Sequence, residues 1–242
     1  MKIPKMIIFD YGHTLVYEEK WDGVKAYKAL FEHIVSNKNN FTAGQIDGFA
    51  NDLFTEGRRL SPYTEIHEHI FFKLLCEYLQ IEINLPLVKI EEIYWDNAAP
   101  ANPMPNIKET LEYLRKNNIR TGVISNIAFS GEALKNRIDS VLPENNFEFI
   151  IASSEYIFRK PNKFIFELAL RKADLPASEV WYCGDSVEFD VTGANSVGIF
   201  PVLYESEIEC WYREKGKQSA PDFEYLHIKD WLEAIDKLEG LK

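Results

Sequence analysis

The chain has 242 residues and a formal net charge of −11, with 46% hydrophobic and 14% aromatic residues. That length suits one large domain, or a core carrying a smaller insert, and the apolar content supports a sizeable core and excludes general disorder. The acidic balance argues against a nucleic-acid partner, since phosphate backbones demand basic patches, but a single basic pocket for one small anion remains compatible with it. Cys76, Cys183 and Cys210 lie far apart with no CxxC spacing, so neither a zinc site nor a disulfide framework is supported. The N-terminal apolar run is too short for a signal peptide, and no stretch approaches the ~18 apolar residues of a membrane helix. A soluble, cytoplasmic chain with no membrane partner is the expectation.

In chain order, Met6-Ile7-Ile8-Phe9 is a short apolar run ending abruptly in Asp10 and a Gly12-containing turn. Such a run reads as a buried strand, and an acid at its exit is costly to bury unless something pairs with it. In open α/β sheets ligands gather at the carboxyl ends of strands, which makes Asp10 a site candidate. Residues 16–100 then read as almost wholly helical. Trp21 to Val35 carries Val24, Tyr27, Ala29, Leu30 and Ile34 at helical spacing. Thr42 and Gln45 fit a capping box. Thr64 is the expected cap of a helix over Glu65 to Leu79, with Ile66, Ile70, Leu74, Leu75 and Tyr78 in a stripe, and Leu87 to Trp95 makes a fourth. The cluster Pro100, Asn102, Pro103, Pro105, Asn106 is a linker signal.

Beyond the linker the pattern alternates. Helices are expected over Ile107–Lys116, Asn162–Ala173 and Lys229–Leu238, and strands over Arg120–Ile124, Phe147–Ala152, Glu179–Cys183 and Phe200–Leu203. Asp190 opens a short helix toward Ala194. Residues 205–220 read as a solvated excursion. This alternation predicts an α/β fold: a doubly wound, mostly parallel sheet. The expected core comprises residues 1–15 and 101–242, and residues 16–100 form an all-helical cap over the sheet's carboxyl edge.

Three strand ends then offer polar groups to one place: Asp10, Ser125 with Asn126, and Asp185 with Asp190 just beyond. Lys160 stands in a loop before a helix. Converging carboxylates repel and raise one another's pKa, and a hard divalent cation such as Mg²⁺ removes that penalty. Lys160 can hold both an aspartate and a phosphoryl oxygen, while the Ser125 hydroxyl and the Asn126 backbone N–H are further donors. Together they describe a site for a tetrahedral oxyanion beside a nucleophilic carboxylate.

The set Asp10-Tyr11-Gly12-His13-Thr14-Leu15, Ser125-Asn126, Lys160-Pro161 and Gly184-Asp185-Ser186-Val187-Glu188-Phe189-Asp190, with Gly193-Ala194 and Gly198-Ile199 downstream, resembles the haloacid dehalogenase superfamily of hydrolases. The resemblance implies that Asp10 is the nucleophile, Thr14 shapes the turn, Ser125 binds phosphate and Lys160 neutralises charge. It also implies that Asp185 ligates Mg²⁺ with Asp190 in support, and that the Gly12 carbonyl is a further ligand beside Asp10. Thr14, Ser125, Asn126 and Lys160 are then the substrate-binding set. The implied activity is a Mg²⁺-dependent phosphatase on a small phosphorylated metabolite, working through an aspartyl-phosphate, as a monomer or homodimer.

The chain departs from that pattern at Gly12, where the family's phosphatases usually carry a second Asp for proton transfer. Three explanations compete. His13 or a cap residue supplies the proton. Alternatively, the protein cleaves phosphonates, with a cap lysine among Lys20, Lys25, Lys28 and Lys38. In the third, it is a dehalogenase, a reading at odds with the retained Asp185 and Asp190. A phospholigand-binding module without turnover is the non-enzymatic alternative.

Overall fold

The computed structural model describes residues 1–210 and 219–242. Six strands form one parallel sheet: β1 (Met6–Phe9), β6 (Arg120–Ser125), β7 (Ile150–Ala152), β8 (Val180–Gly184), β9 (Phe200–Tyr204) and β10 (Leu226–Ile228), in the order β10-β9-β8-β1-β6-β7. Strand β1 is buried along its whole length, as expected of a parallel strand covered on both faces. Its side chains alternate between two cores. Ile7 and Phe9 pack with Val123, Trp181 and Cys183, together with the helices α5 (Ile107–Lys116), α6 (Gly131–Val141) and α9 (Trp231–Glu239). Met6 and Ile8 pack on the opposite face with Ile124 and Tyr182, under α7 (Lys163–Ala173) and α8 (Gly193–Ser196). Helices therefore cover both faces of the sheet, which is the doubly wound arrangement.

Strand order reverses at β1, whose neighbours are β6 on one side and β8 on the other. A crevice at such a reversal is where ligands bind in open α/β sheets. Register fixes its contents. Phe9 lies level with Val123 and Cys183, so Asp10 emerges beside Gly184 while Ser125 and Asp185 follow one step further on. The Asp10 amide donates to the Cys183 carbonyl at 2.8 Å, extending the ladder to the acid itself.

Between β1 and α5 the chain leaves the sheet through β2 (Val16–Glu18) and returns through β5 (Ala101–Pro103), which pair antiparallel with each other. The intervening segment holds α1 (Gly23–Leu30), α2 (Ala43–Leu60), α3 (Glu68–Leu79) and α4 (Leu87–Ala98). The Thr42–Gln45 capping box forms as the spacing predicts, with the Gln45 amide donating to Thr42 Oγ1 at 3.3 Å and the Thr42 amide to Gln45 Oε1 at 2.9 Å. An all-helical segment is a misreading, however. The helix expected to reach Val35 stops at Leu30, and after one 3₁₀ turn Ile34–Asn37 becomes strand β3, paired antiparallel with β4 (Ile81–Ile83). The β-branched Ile34-Val35 pair suits a pleated strand better than a helix end.

Three boundaries also move. Helix α3 starts at Glu68, not Glu65, because the Glu65 amide is committed to the Ile157 carbonyl at 2.7 Å; His67, rather than Thr64, caps it. Strand β7 is regular only from Ile150, though Glu148 still donates its amide to Thr121 at 2.9 Å. Asp190 does not open a helix. It lies within a π-helical turn over Val187–Thr192 that Ser186 caps through Phe189 N at 3.2 Å, with α8 following. Helix α6, absent from the sequence-based expectations, begins at the Ser130 cap. Residues 211–218 of the excursion expected over 205–220 lie outside the described residues. Among the described residues no helix is long and apolar enough to cross a membrane.

Candidate active site

A cleft of about 430 Å³ opens at the carboxyl ends of β1, β6 and β8. Its floor is Asp10, Gly12, Ser125, Asn126, Lys160, Asp185 and Asp190, and aromatic side chains of Trp21, Trp95 and Phe129 form part of its walls. Seven of the nine residues expected at the site, Asp10 among them, therefore meet here; His13 and Thr14 do not line it.

Lys160 is the hub. Its ammonium, almost wholly buried, donates to Asp10 Oδ1 at 2.7 Å, Asp190 Oδ1 at 2.6 Å and the Tyr182 hydroxyl at 2.9 Å. Burial works against its charge, but the attraction and hydrogen bonds of Asp10 and Asp190 outweigh that and hold its pKa above the ordinary lysine value. The Asn126 side chain fixes the lysine's backbone. Its Nδ2 donates to the Lys160 carbonyl at 2.9 Å and its Oδ1 accepts from the Lys160 amide at 2.7 Å. Asn126 thus positions the loop as well as lining the cleft.

One carboxylate oxygen each from Asp10, Asp185 and Asp190 lies within 4.8 Å of the other two. Burial pushes the Asp10 carboxyl up to about 6; Lys160 pulls it down and the Asp190 charge pushes it further up. Three carboxylates facing one ammonium leave an excess of negative charge in a desolvated place. That donor set, all oxygen and hard, fits a divalent cation of the Mg²⁺ class. Asp190 is held on both oxygens, by Lys160 on Oδ1 and by the Ser186 amide on Oδ2 at 2.9 Å. Gly184 makes room for it, since a Cβ there would stand 2.3 Å from the Asp190 carboxyl carbon.

His13 is buried, in the left-handed backbone region at φ +53°, with its amide donating to the Val16 carbonyl at 2.7 Å. Thr14 is fully buried, its carbonyl accepting from Trp231 Nε1 at 3.0 Å. Both lie in the turn that follows Asp10. Of the cap lysines considered from sequence, Lys20, Lys25, Lys28 and Lys38 all stay off the cleft lining, where the lysine present is Lys160.

Sequence reading passes over Tyr182, Arg159 and Glu18, all near or lining the cleft. Tyr182 sits in a strand that reads as apolar. The available signal is its hydroxyl, which a buried tyrosine must pair; here it donates to the Ile124 carbonyl at 3.2 Å and accepts from Lys160. Glu18 and Arg159 reach the lining only through tertiary folding, and no local pattern marks them.

The sequence pattern of the family described as haloacid dehalogenase-like hydrolase matches residues 7–203. The chain belongs to this family. It is a hydrolase, and the Asp10 cluster lies at the carboxyl ends of its sheet strands. A glyceraldehyde 3-phosphate phosphatase of Pyrococcus furiosus is 26% identical over 99% of this chain and 96% of its own length. A ribulose-1,5-bisphosphate 5-phosphatase of Halopiger xanaduensis is 28% identical, and the match spans about half of each chain, 56% in both cases. In structure, a phosphatase from Thermococcus onnurineus superposes with a TM-score of 0.64 at 20% identity, covering 99% of both chains. A 2-haloacid dehalogenase from Pseudomonas syringae gives the same score at 19% identity over the whole of both chains. At such identities the two structures speak for the fold alone, and they include both chemistries.

Proposed function

We propose that this hydrolase is a phosphatase that removes the phosphoryl group from a small phosphorylated metabolite through an aspartyl-phosphate on Asp10. The observation that carries the reading is the arrangement of Asp10 itself. Lys160 engages Oδ1 at 2.7 Å from within the protein, so Oδ2 is the oxygen available to attack. A second, independent support is the pair of phosphatase relatives, whose names denote sugar-phosphate substrates.

Asp10 Oδ2 attacks phosphorus in line with the leaving oxygen. Lys160, the Ser125 hydroxyl and the Asn126 amide neutralise and orient the phosphoryl oxygens, an electrostatic role that suits the water-poor floor of the cleft. Asp10, the Gly12 carbonyl and Asp185 would hold Mg²⁺, with Asp190 in support through its grip on Lys160. The cation supplies charge neutralisation for the incoming phosphoryl group. Residues 16–100 act as a cap that excludes water and selects the substrate, with Trp21 and Trp95 over the cleft. Of the competing chemistries, phosphonate cleavage through a Schiff base loses support because none of the cap lysines considered reaches the cleft.

The test is phosphate release from a panel of phosphorylated metabolites, with and without Mg²⁺, by the wild type and Asp10→Asn. Mg²⁺-dependent release that Asp10→Asn abolishes is the expected result. Tight substrate binding without release would place the protein among phospholigand-binding modules instead.

A further inference from the structure

Resting on that phosphatase reading, we propose that Glu18 is the general acid and base of the reaction, donating the proton to the leaving oxygen and then accepting one from the attacking water. The carboxylates lining the cleft are Asp10, Glu18, Asp185 and Asp190. Asp10 is the nucleophile. Asp190 is held on both oxygens. Asp185 belongs to the same tight oxygen cluster, whose negative charge favours a cation over a proton. Gly12 has no side chain and His13 lies off the lining. Glu18 is the remaining carboxylate in the cleft.

Its surroundings suit proton transfer. Glu18 stands on β2, where the chain leaves the sheet for the helical insert, and its side chain is only 16% exposed. Three donors converge on one oxygen. Oε1 accepts from Trp95 Nε1 at 2.7 Å, from Arg137 Nη2 at 3.1 Å and from the Tyr11 hydroxyl at 3.3 Å. That fixes the carboxyl plane and leaves Oε2 as the oxygen to carry the proton. Arg137 is the charged group facing it, and is shared. It also donates to Asp96 Oδ1 at 2.6 Å, to the Tyr11 hydroxyl at 2.9 Å and to the Ala99 carbonyl, and it lies over the Trp95 ring. Burial, acting before the opposing pull of Arg137, raises the Glu18 pKa, so its protonated form persists closer to neutral pH. Burial also raises the Tyr11 hydroxyl well above its usual range, which keeps it neutral.

In the first step the Asp10 oxygen bonds to phosphorus and the bond from phosphorus to the leaving oxygen breaks. That oxygen keeps the electron pair and takes the Glu18 proton, departing as an alcohol. In the second step water bonds to phosphorus and passes a proton to the Glu18 carboxylate. The bond from phosphorus to the Asp10 oxygen breaks, regenerating the aspartate and releasing inorganic phosphate.

The experiment compares wild type and Glu18→Gln on an alkyl ester, glyceraldehyde 3-phosphate, and on para-nitrophenyl phosphate, whose leaving group departs without a proton. Gln retains an acceptor for Trp95, Arg137 and Tyr11. The proposal expects kcat/KM for the alkyl ester to fall about 10²–10⁴-fold. With the aryl ester, one equivalent of nitrophenolate should still appear in a burst at the wild-type rate, followed by slow turnover, because only the second step needs the base. Equal losses in both phosphoryl-transfer steps would mean a structural role and overturn the proposal. So would an alkyl activity within a few fold of wild type. As a check independent of folding yield, across a series of aryl esters the variant's transfer rate should depend more steeply on leaving-group acidity; an unchanged slope is contradictory. A wild type without Asp10-dependent release from either ester would instead overturn the phosphatase reading, and this proposal with it.

Discussion

Two buried acidic clusters among the described residues are built differently. At the strand ends, Asp10 and Asp190 share one lysine ammonium at 2.7 and 2.6 Å. Where the helical insert meets the sheet half, Glu91 is fully buried and has no lysine or arginine partner among the described residues, only Ser130 and His69. The Ser130 amide and hydroxyl reach it at 2.8 and 2.6 Å, and His69 Nε2 lies 2.6 Å away. Its neighbour Glu68 is also buried, and burial with repulsion from Glu91 and Glu65 pushes its carboxyl up to about 8. The first cluster gathers its acids around a buried lysine ammonium. The second ties α3, α4 and the start of α6 together and leaves one acid protonated near neutral pH. Burial alone therefore does not mark a reactive carboxylate; the kind of partner does.

The largest expected effect breaks the first cluster at its nucleophile. Asp10→Asn keeps the shape and should lower turnover by about 10⁴-fold or more, measured as phosphate release. Next comes Lys160→Met, which leaves Asp10 and Asp190 facing each other without their ammonium. Removing one partner of a buried ion pair typically costs about 3–5 kcal/mol, so the variant should melt well below wild type and lose most activity. Mg²⁺ should recover part of its melting temperature but little turnover; no recovery would argue against a cation among these oxygens. For wild type, Mg²⁺ at about a hundred times its dissociation constant should stabilise the fold by about 2.7 kcal/mol, and Asp185→Asn should shrink that shift.

The second cluster predicts the reverse sign. The Glu68 pKa is raised from 4.5 to about 8, so its contribution to stability is fully present below about 4.5 and is lost as pH rises through about 8. Glu68→Gln should therefore raise the melting temperature, by an amount that grows between about pH 5 and pH 8, with roughly 1–3 kcal/mol as the scale. A gain that shrinks as pH rises would contradict the assigned protonation. Ser130→Ala, which strips one donor from Glu91 and removes the cap of α6, should cost about 1–2 kcal/mol while leaving Asp10 chemistry intact.

How much of this was legible in the chain follows from how far each feature reaches. Strand β1 and Asp10 adjoin in sequence, and the switch from helical to alternating pattern near Pro100 is local, so both the sheet and its acidic strand ends could be read directly. The capping box at Thr42 is equally local. The β3–β4 pair was not legible, because Ile34–Asn37 finds its partner more than forty residues later, and helical spacing continues through Leu30 and Ile34 without interruption. Helix α6 was hidden because its start is fixed by tertiary contact: Ser130 caps it while donating to Glu91 on α4. At the site, Asp10, Ser125, Lys160 and Asp185 follow from chemistry at strand ends and loops. Tyr182 was hidden because an apolar strand gives no hint of which hydroxyl points at a lysine. Glu18 and Arg137 were hidden because their contact joins residues 119 apart.

The account stands most directly on Asp10 as the atom that takes the phosphoryl group. The deciding measurement is acid quenching of the enzyme during turnover of a phosphorylated substrate, followed by peptide mass analysis. One phosphoryl group on the peptide that carries Asp10, formed and lost at rates matching turnover and absent from Asp10→Asn, is the predicted result. Continued phosphate release with that peptide unmodified, or with the group on another residue, would contradict it.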